Sequence, residues 1–434
     1  MAMKLNGPRP GGSFQQLKML ADRFSYINWA LADQAIVSGA SFITTVLIAR
    51  YLGMEEFGRF ALAWLGVFFA QNLQIALVVA PMMTIGPKQP GSQRSTYTGS
   101  VILQQGVIAA ATTGVVYFSV VLADLFAPEW RLGTVVVPLT VLVLVGQCAE
   151  FLRRYYFTFN RARISFTIDF ARYGSQTVFL LGLCEGFVVE ASISAVLYAM
   201  AVAALIGLIL GLLFFGPVSF QASNMRRTLS RHWYFARWLI PTAVANWCRE
   251  NFVYTAIAAT LGLSAVGALR AAQQLVRMVN VPIQGFDNIV PMRAGAAFAG
   301  EGFGGLVDFV DGFVLRYTAA ISAMLLVIAI FGNFLLTLIY GAEYAGYEHL
   351  VAAYAAIIFL YLVRNVLATM LRAMETTIFE FYASISGAVL VTAGSLPLVR
   401  AFGMPGAMVA LAMFECVIIL SLSFGLQRRH VAGM

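Results

Sequence analysis

Apolar residues run along this chain in blocks of roughly 20, separated by short polar punctuation, from one end to the other. The blocks fall at 27–51, 58–80, 99–122, 134–152, 173–189, 192–215, 238–260, 266–291, 315–338, 350–372, 380–400 and 405–426. Coiled as a helix, each is long enough to cross a hydrocarbon layer about 30 Å thick. The pattern predicts an all-α integral membrane protein with about twelve transmembrane helices.

The pattern also reads twice. LGMEEFG at Leu52 to Gly58 is answered by LGLSAVG at Leu261 to Gly267, Pro81-Met82 by Pro291-Met292, and the loop LFAPEW at Leu125 by LIYGAEY at Leu338. The offset stays near about 210 residues, so two similar halves follow one another. This predicts two homologous six-helix bundles around a central cavity, because repeat-built membrane proteins place their substrate path at the repeat interface. The expected division is a cytoplasmic amphipathic tail at 1–26, an N-terminal bundle at 27–215, a basic cytoplasmic linker at 216–237, a C-terminal bundle at 238–426 and a short tail at 427–434. Within the first tail, residues 14–26 (FQQLKMLADRFSY) have the alternation of a helix lying on the inner leaflet.

Composition agrees with the pattern: 60% of the residues are hydrophobic and 11% charged, with a mean hydropathy of +0.81. The net charge of +8 is distributed unevenly. Lys88, Arg94, Arg153, Arg154, Arg161, Arg163, Arg226, Arg227, Arg231 and Arg237 fall between crossings on one side, whereas the other side is rich in Glu55, Glu56, Asp124, Glu129, Glu343 and Glu348. Basic loops stay cytoplasmic, which puts both termini of this multi-pass chain inside. Arg153 and Arg154 read as topology determinants of this kind. The bases are spread over many loops, so no nucleic-acid partner is expected.

The loops leave little room for chemistry. No phosphate-binding GxxxxGK[ST] motif occurs, and Cys148, Cys184, Cys248 and Cys416 lack metal-ligand spacing and read as small buried apolar residues. His232, His349 and His430 read as ordinary surface histidines. No catalytic residues, metal or cofactor are expected, and the short outer loops count against a glycan polymerase or ligase.

Ionisable groups inside the apolar blocks carry the functional signal, because each is costly unless paired or facing water. Arg249 lies near the middle of the seventh block, followed by Glu250. Adjacent helical positions point about 100° apart, so the two are not an automatic pair. In the eighth block Arg270, Gln273, Gln274, Arg277, Asn280, Gln284, Asp287 and Asn288 recur at steps of three or four, one polar face along a whole helix. Gln71 and Gln74 hold the corresponding positions in the second block. Two facing polar helices, one per half, would line the cavity. Arg364 in the tenth block is the repeat-equivalent of Arg154. A cavity walled by Arg249, Arg270, Arg277 and Arg364 suits an anion, since a guanidinium stays protonated and forks onto phosphate oxygens. Salt bridging between helices for Arg249 and Arg277, and snorkelling for Arg270 and Arg364, are the bland alternatives. Asp33, Glu250, Asp287 and Glu415 are candidates for proton or cation coupling.

LIARYLGMEEFGRFAL at Leu47, FLRRYYFTFNR at Phe151, ATLGLSAVGALRAAQQL at Ala259 and LIYGAEY together resemble the polysaccharide transporter family, the O-antigen and exopolysaccharide flippases of the multidrug/oligosaccharidyl-lipid/polysaccharide exporter superfamily. The resemblance covers nearly the whole chain. It implies movement of a polyprenyl-pyrophosphate-linked oligosaccharide from the cytoplasmic to the periplasmic leaflet of a bacterial cell (inner) membrane by alternating access, with membrane lipids, a polysaccharide polymerase and chain-length proteins as partners. Twelve helices suffice to enclose the cavity within one chain, so a monomer is expected. A multidrug/cation antiporter of the same superfamily is the nearest rival and would share the fold. A non-transporting assembly partner in glycan export is a further one.

Overall fold

The structure is a computed structural model that describes residues 12–186, 191–237, 239–376 and 378–432. The side chains of 12–27, 223, 285–289, 381 and 429–432 lie outside the described set, and with them the candidate Asp287.

Every regular element among the described residues is helical. The first half comprises α1 (Gly12–Tyr51), α2 (Gly53–Gln74), α3 (Ala80–Ile85), α4 (Gly91–Phe126), α5 (Val136–Thr158), α6 (Ala162–Cys184) and α7 (Ile193–Leu213). A separate amphipathic helix, α8 (Ala222–Ala236), leads into the second half: α9 (Leu239–Leu261), α10 (Leu263–Val276), α11 (Asn280–Phe309), α12 (Leu315–Ile330), α13 (Gly332–Tyr340), α14 (Glu348–Ala373) and α15 (Ile378–Ala432). Helix α1 runs without a break from Gly12, so the amphipathic stretch and the first crossing share one backbone rod.

Eight of these helical runs are long and apolar enough to cross a membrane. One of them, Ile378–Arg428, is two crossings, because the chain reverses at Gly403, whose φ of 62° suits glycine. Helices α6 and α9, and α10 continued into α11, correspond to the remaining apolar blocks, their charged and polar residues keeping them out of that apolar set. The fold class is as expected: a multi-pass, two-lobed helical membrane protein. Two rods are less regular than the sequence suggests. Helix α2 passes through a π turn at Ile75–Val79 before Pro81. The eighth crossing breaks at a 3₁₀ turn, Arg277–Val279, between α10 and α11. Gln273, Arg277, Asn280 and Gln284 still share one face across that turn, whereas Arg270 and Gln274 fall outside it.

The lobes are joined at one end and parted at the other. Towards the acidic loops a single apolar core runs through both halves, from Phe57 and Leu139 to Leu269 and Tyr340. Towards the basic loops the core divides into one cluster around Met82 and Tyr156 and another around Val290 and Val314, each drawn from one half. At the joined end α2 packs on α10, with Gly58 facing Gly267. There the Glu343 carboxylate of the second half accepts from the Met54 N–H at 3.2 Å, capping the free amides at the start of α2. Arg50 donates to the Leu338 carbonyl, and the Trp130 indole to that of Ala258.

Candidate functional site

Between the helices of the second lobe lies a cavity of about 380 Å³. Helix α9 contributes Arg249, Glu250 and Tyr254, α10 and the following turn Gln273 and Arg277, α11 Asn280 and Gln284, α14 Tyr354, Tyr361 and Arg364, and α15 Phe414 and Glu415. The break after α10 matters here, because it places Arg277 at a turn, against the wall formed by α14. Discontinuous membrane helices are a recurrent way of presenting polar groups near the bilayer midplane.

Three arginines and two glutamates line this space. Arg249 pairs with its neighbour Glu250, although helix geometry did not demand it. Long side chains at the cavity wall bridge the angular gap. Arg364 pairs through Nε with Glu415 at 3.2 Å. The Phe414 ring serves both cations, with its centroid 4.6 Å from the Arg249 guanidinium and 5.8 Å from that of Arg364. Arg277 instead lies beside Tyr354 on the cavity wall. Among the described side chains no carboxylate lies within ion-pair distance of it, so it supplies the cavity's surplus positive charge.

The other expected members are placed differently. Arg270 does not line the cavity; it donates to the Tyr254 hydroxyl at 3.2 Å and sits over Phe68 of the first lobe. Tyr254 in turn hydrogen-bonds Gln273, which ties α9 to α10. Gln274 is half-buried outside the lining. Gln74 is buried in the first lobe, where its amide donates to the Gln147 carbonyl at 2.7 Å, and Gln71 is half-buried and outside the cavity. The second block therefore supplies no polar wall to this cavity: Gln74 is engaged within its own lobe and Gln71 lies off the lining.

Asp33 is no lone carboxylate. Arg153 reaches Asp33 at 2.7 Å, Asp169 at 2.6 Å and Glu150 at 3.2 Å, and Arg154 also binds Glu150. With the buried Arg172 beside them, three carboxylates and three arginines form an internal cluster in the first lobe. Arg153 is thus an internal cross-link and more than a topology signal. The spacing of Glu150, Arg153 and Arg154 on one helix hints at pairing, but the partnership with Asp33 and Asp169 needs three helices brought together.

His232 is fully buried rather than on the surface. Its Nδ1 donates to Gln104 Oε1 at 2.7 Å and its Nε2 accepts from the Tyr97 hydroxyl at 2.9 Å. Gln104 passes the chain on, donating to the Leu77 carbonyl inside the π turn of the second crossing. Burial, with Arg231 adjacent, pushes the His232 pKa down to about 4, so the ring is neutral at physiological pH. The cysteines are not fully buried either; Cys416 is exposed on the outside of the bundle and the other three are half-buried. Among the described residues no group of histidines, cysteines and carboxylates could hold a metal ion.

No family model and no curated protein matches the chain. Solved structures do. An inward-facing multidrug resistance MATE family transporter of the MOP superfamily aligns over 92% of this chain and 98% of its own, with a TM-score of 0.71 and 13% identity. The fold is that of MOP superfamily transporters. The lipid II flippase MurJ, in an inward closed conformation, aligns over 92% of this chain and 87% of its own, with a TM-score of 0.61 and 13% identity. A MOP superfamily transporter from Pyrococcus furiosus, described as having a binding pocket of reverse polarity, covers 92% and 93% with a TM-score of 0.60 and 13% identity.

Proposed function

We propose that this chain is a flippase of the inner membrane that moves polyprenyl-pyrophosphate-linked oligosaccharides outward by alternating access, for exopolysaccharide, capsule or O-antigen synthesis. The observation that carries the reading is Arg277: a cation at a helix break, inside the cavity shared with Arg249 and Arg364, with no carboxylate within ion-pair distance among the described side chains. A pyrophosphate brings oxygens that guanidinium groups bind bidentately. The Asn280, Gln284 and Gln273 amides beside it suit sugar hydroxyls. The parting of the lobes towards the basic loops supports loading from that side, with the lipid tail left in the bilayer. With the cell interior negative, outward movement of an anion gains about 2.3 kcal/mol per charge per 100 mV. Coupling to a cation is then an addition to the cycle and not a requirement, with Glu250 and Glu415 the carboxylates that face the cavity.

The fold likeness fits transport more broadly, and one observation favours a second reading. Glu250, Glu415 and the rings of Tyr254, Tyr354, Tyr361 and Phe414 line the same cavity, a set that an organic cation would also accept. The deciding experiment is translocation of a labelled polyprenyl-pyrophosphate oligosaccharide in proteoliposomes, native against Arg277→Ala and Arg249→Ala at equal reconstitution. Flipping lost in the variants supports the flippase. Absence of native flipping with several glycan donors, together with efflux of an organic cation, transfers the assignment to the antiporter.

A further inference from the structure

A second, smaller cavity of about 60 Å³ lies in the basic region, between the start of α4 and the linker helix α8. Its walls are Gln89, Gln93 and Thr96 on one side and Asn224, Arg227, Thr228 and Arg231 on the other, with Tyr97 at the base. A water needs about 10–15 Å³ of such space, so this one holds a group of a few heavy atoms and no sugar ring. Arg227 and Arg231 are four residues apart and so project from one face of α8. Neither has a carboxylate within ion-pair distance among the described residues, while both are exposed at the rim. Two uncompensated guanidinium groups, ringed by neutral amides and hydroxyls and without an acid, are a receptor for a compact anion.

The position narrows the anion further. Trp233 and Tyr234 of the same helix are 61% and 70% exposed, and Phe220 just before it 60%. Exposed aromatics beside arginines are the composition of a helix that lies at the headgroup level of a membrane. There the abundant compact anion is a phosphate ester, and the anionic leaflet concentrates it.

We propose that this pocket binds a phosphate group, with Arg227 and Arg231 as its two cationic jaws. The group can come from the head of an anionic lipid or from free phosphate. Binding holds α8 against α4, because Tyr97 at the pocket base is also the residue that hydrogen-bonds His232. The site is distinct from the substrate cavity, since the two share no lining residue.

The test is thermal unfolding of the purified full chain titrated with inorganic phosphate, with short-chain phosphatidic acid, and with diacylglycerol of the same chain length as the phosphate-free control. The proteins are native, Arg227→Gln/Arg231→Gln, and Arg226→Gln, whose side chain is outside the pocket. Native protein and Arg226→Gln should be stabilised by at least one phosphate probe and not by diacylglycerol, with the half-saturating concentration raised at least tenfold in the double variant. Phosphatidic acid acting well below the concentration needed for inorganic phosphate identifies the lipid head as the source. Equal potency identifies free phosphate. No stabilisation by either probe, or identical titrations for native and double variant, overturns the site. Should the double variant fail to fold, Gln93→Glu places a carboxylate at the exposed rim and must weaken the same titration.

Discussion

Gly58 and Gly267 meet backbone to backbone where the two lobes are joined, each lying against the main chain of the other's helix. A Cβ on Gly58 would lie 1.9 Å from the Leu263 carbonyl oxygen, and one on Gly267 would lie 2.2 Å from that of Met54. Because both obstacles are main chain, alanine cannot be accommodated by a rotamer change. Gly58→Ala and Gly267→Ala should each cost about 1–3 kcal/mol, as overpacking does. Both should also open the joined end. Thermal unfolding measures the first effect. Maleimide labelling of Met54→Cys, in a background without the four native cysteines, measures the second and should quicken at least about tenfold, the equivalent of 1.4 kcal/mol.

Arg153 holds two buried carboxylates from two other helices, Asp33 and Asp169. Its removal leaves buried charge without compensation, and Arg153→Met should destabilise the chain by about 3–5 kcal/mol. Arg153→Lys should recover only part of that loss, since one ammonium cannot fork onto both acids. Unfolding midpoints of the two variants check this; full recovery by lysine would show that any cation suffices and that the fork onto two acids contributes nothing.

In the cavity proposed to hold the cargo, the two glutamates are expected to act against an anion. Arg277→Ala should lower oligosaccharide translocation at least about tenfold. Glu415→Gln frees Arg364 from its 3.2 Å pair and should lower the half-saturating substrate concentration instead. Opposite signs for these two variants in one proteoliposome assay are the signature of an anionic cargo; the same sign for both would remove it.

His232 makes the docking of α8 sensitive to acid. Its pKa falls from near 6.5 in the unfolded chain to about 4 in the folded one. Between those values the unfolded state binds the extra proton, so stability falls as pH drops from about 6.5 to 4. Native protein should lose more of its unfolding midpoint between pH 7.5 and 5 than His232→Asn does. Comparing the two proteins cancels the other titrating groups. A matching loss in both would show that the ring is not responsible.

Much of the fold is written in the chain because membrane crossing is a local constraint: a block of apolar residues must become a helix whatever surrounds it. The internal repeat likewise shows in Gly58 and Gly267, which occupy matched motifs and turn out to face one another. Pairing is not local. Nothing in the neighbourhood of Asp33 names Arg153 as its partner, and nothing around His232 names Tyr97 and Gln104. Gln74 and Arg270 have the same residue types and spacing as true cavity members, but neighbouring helices claim them. Arg277 was legible as an intramembrane cation, whereas the turn that presents it follows from how the eighth crossing is interrupted.

The two halves repeat one pattern yet differ in one arginine. The first matches Arg153, Arg154 and Arg172 with acids of its own, while the second leaves Arg277 without such a match among the described side chains. If the halves swing apart about the glycine contact, a charged passenger has only one wall to hold. It would ride with the second half through the whole stroke, and the first half would act as a door that carries nothing. An engineered exchange of cargo charge therefore needs changes in one half alone.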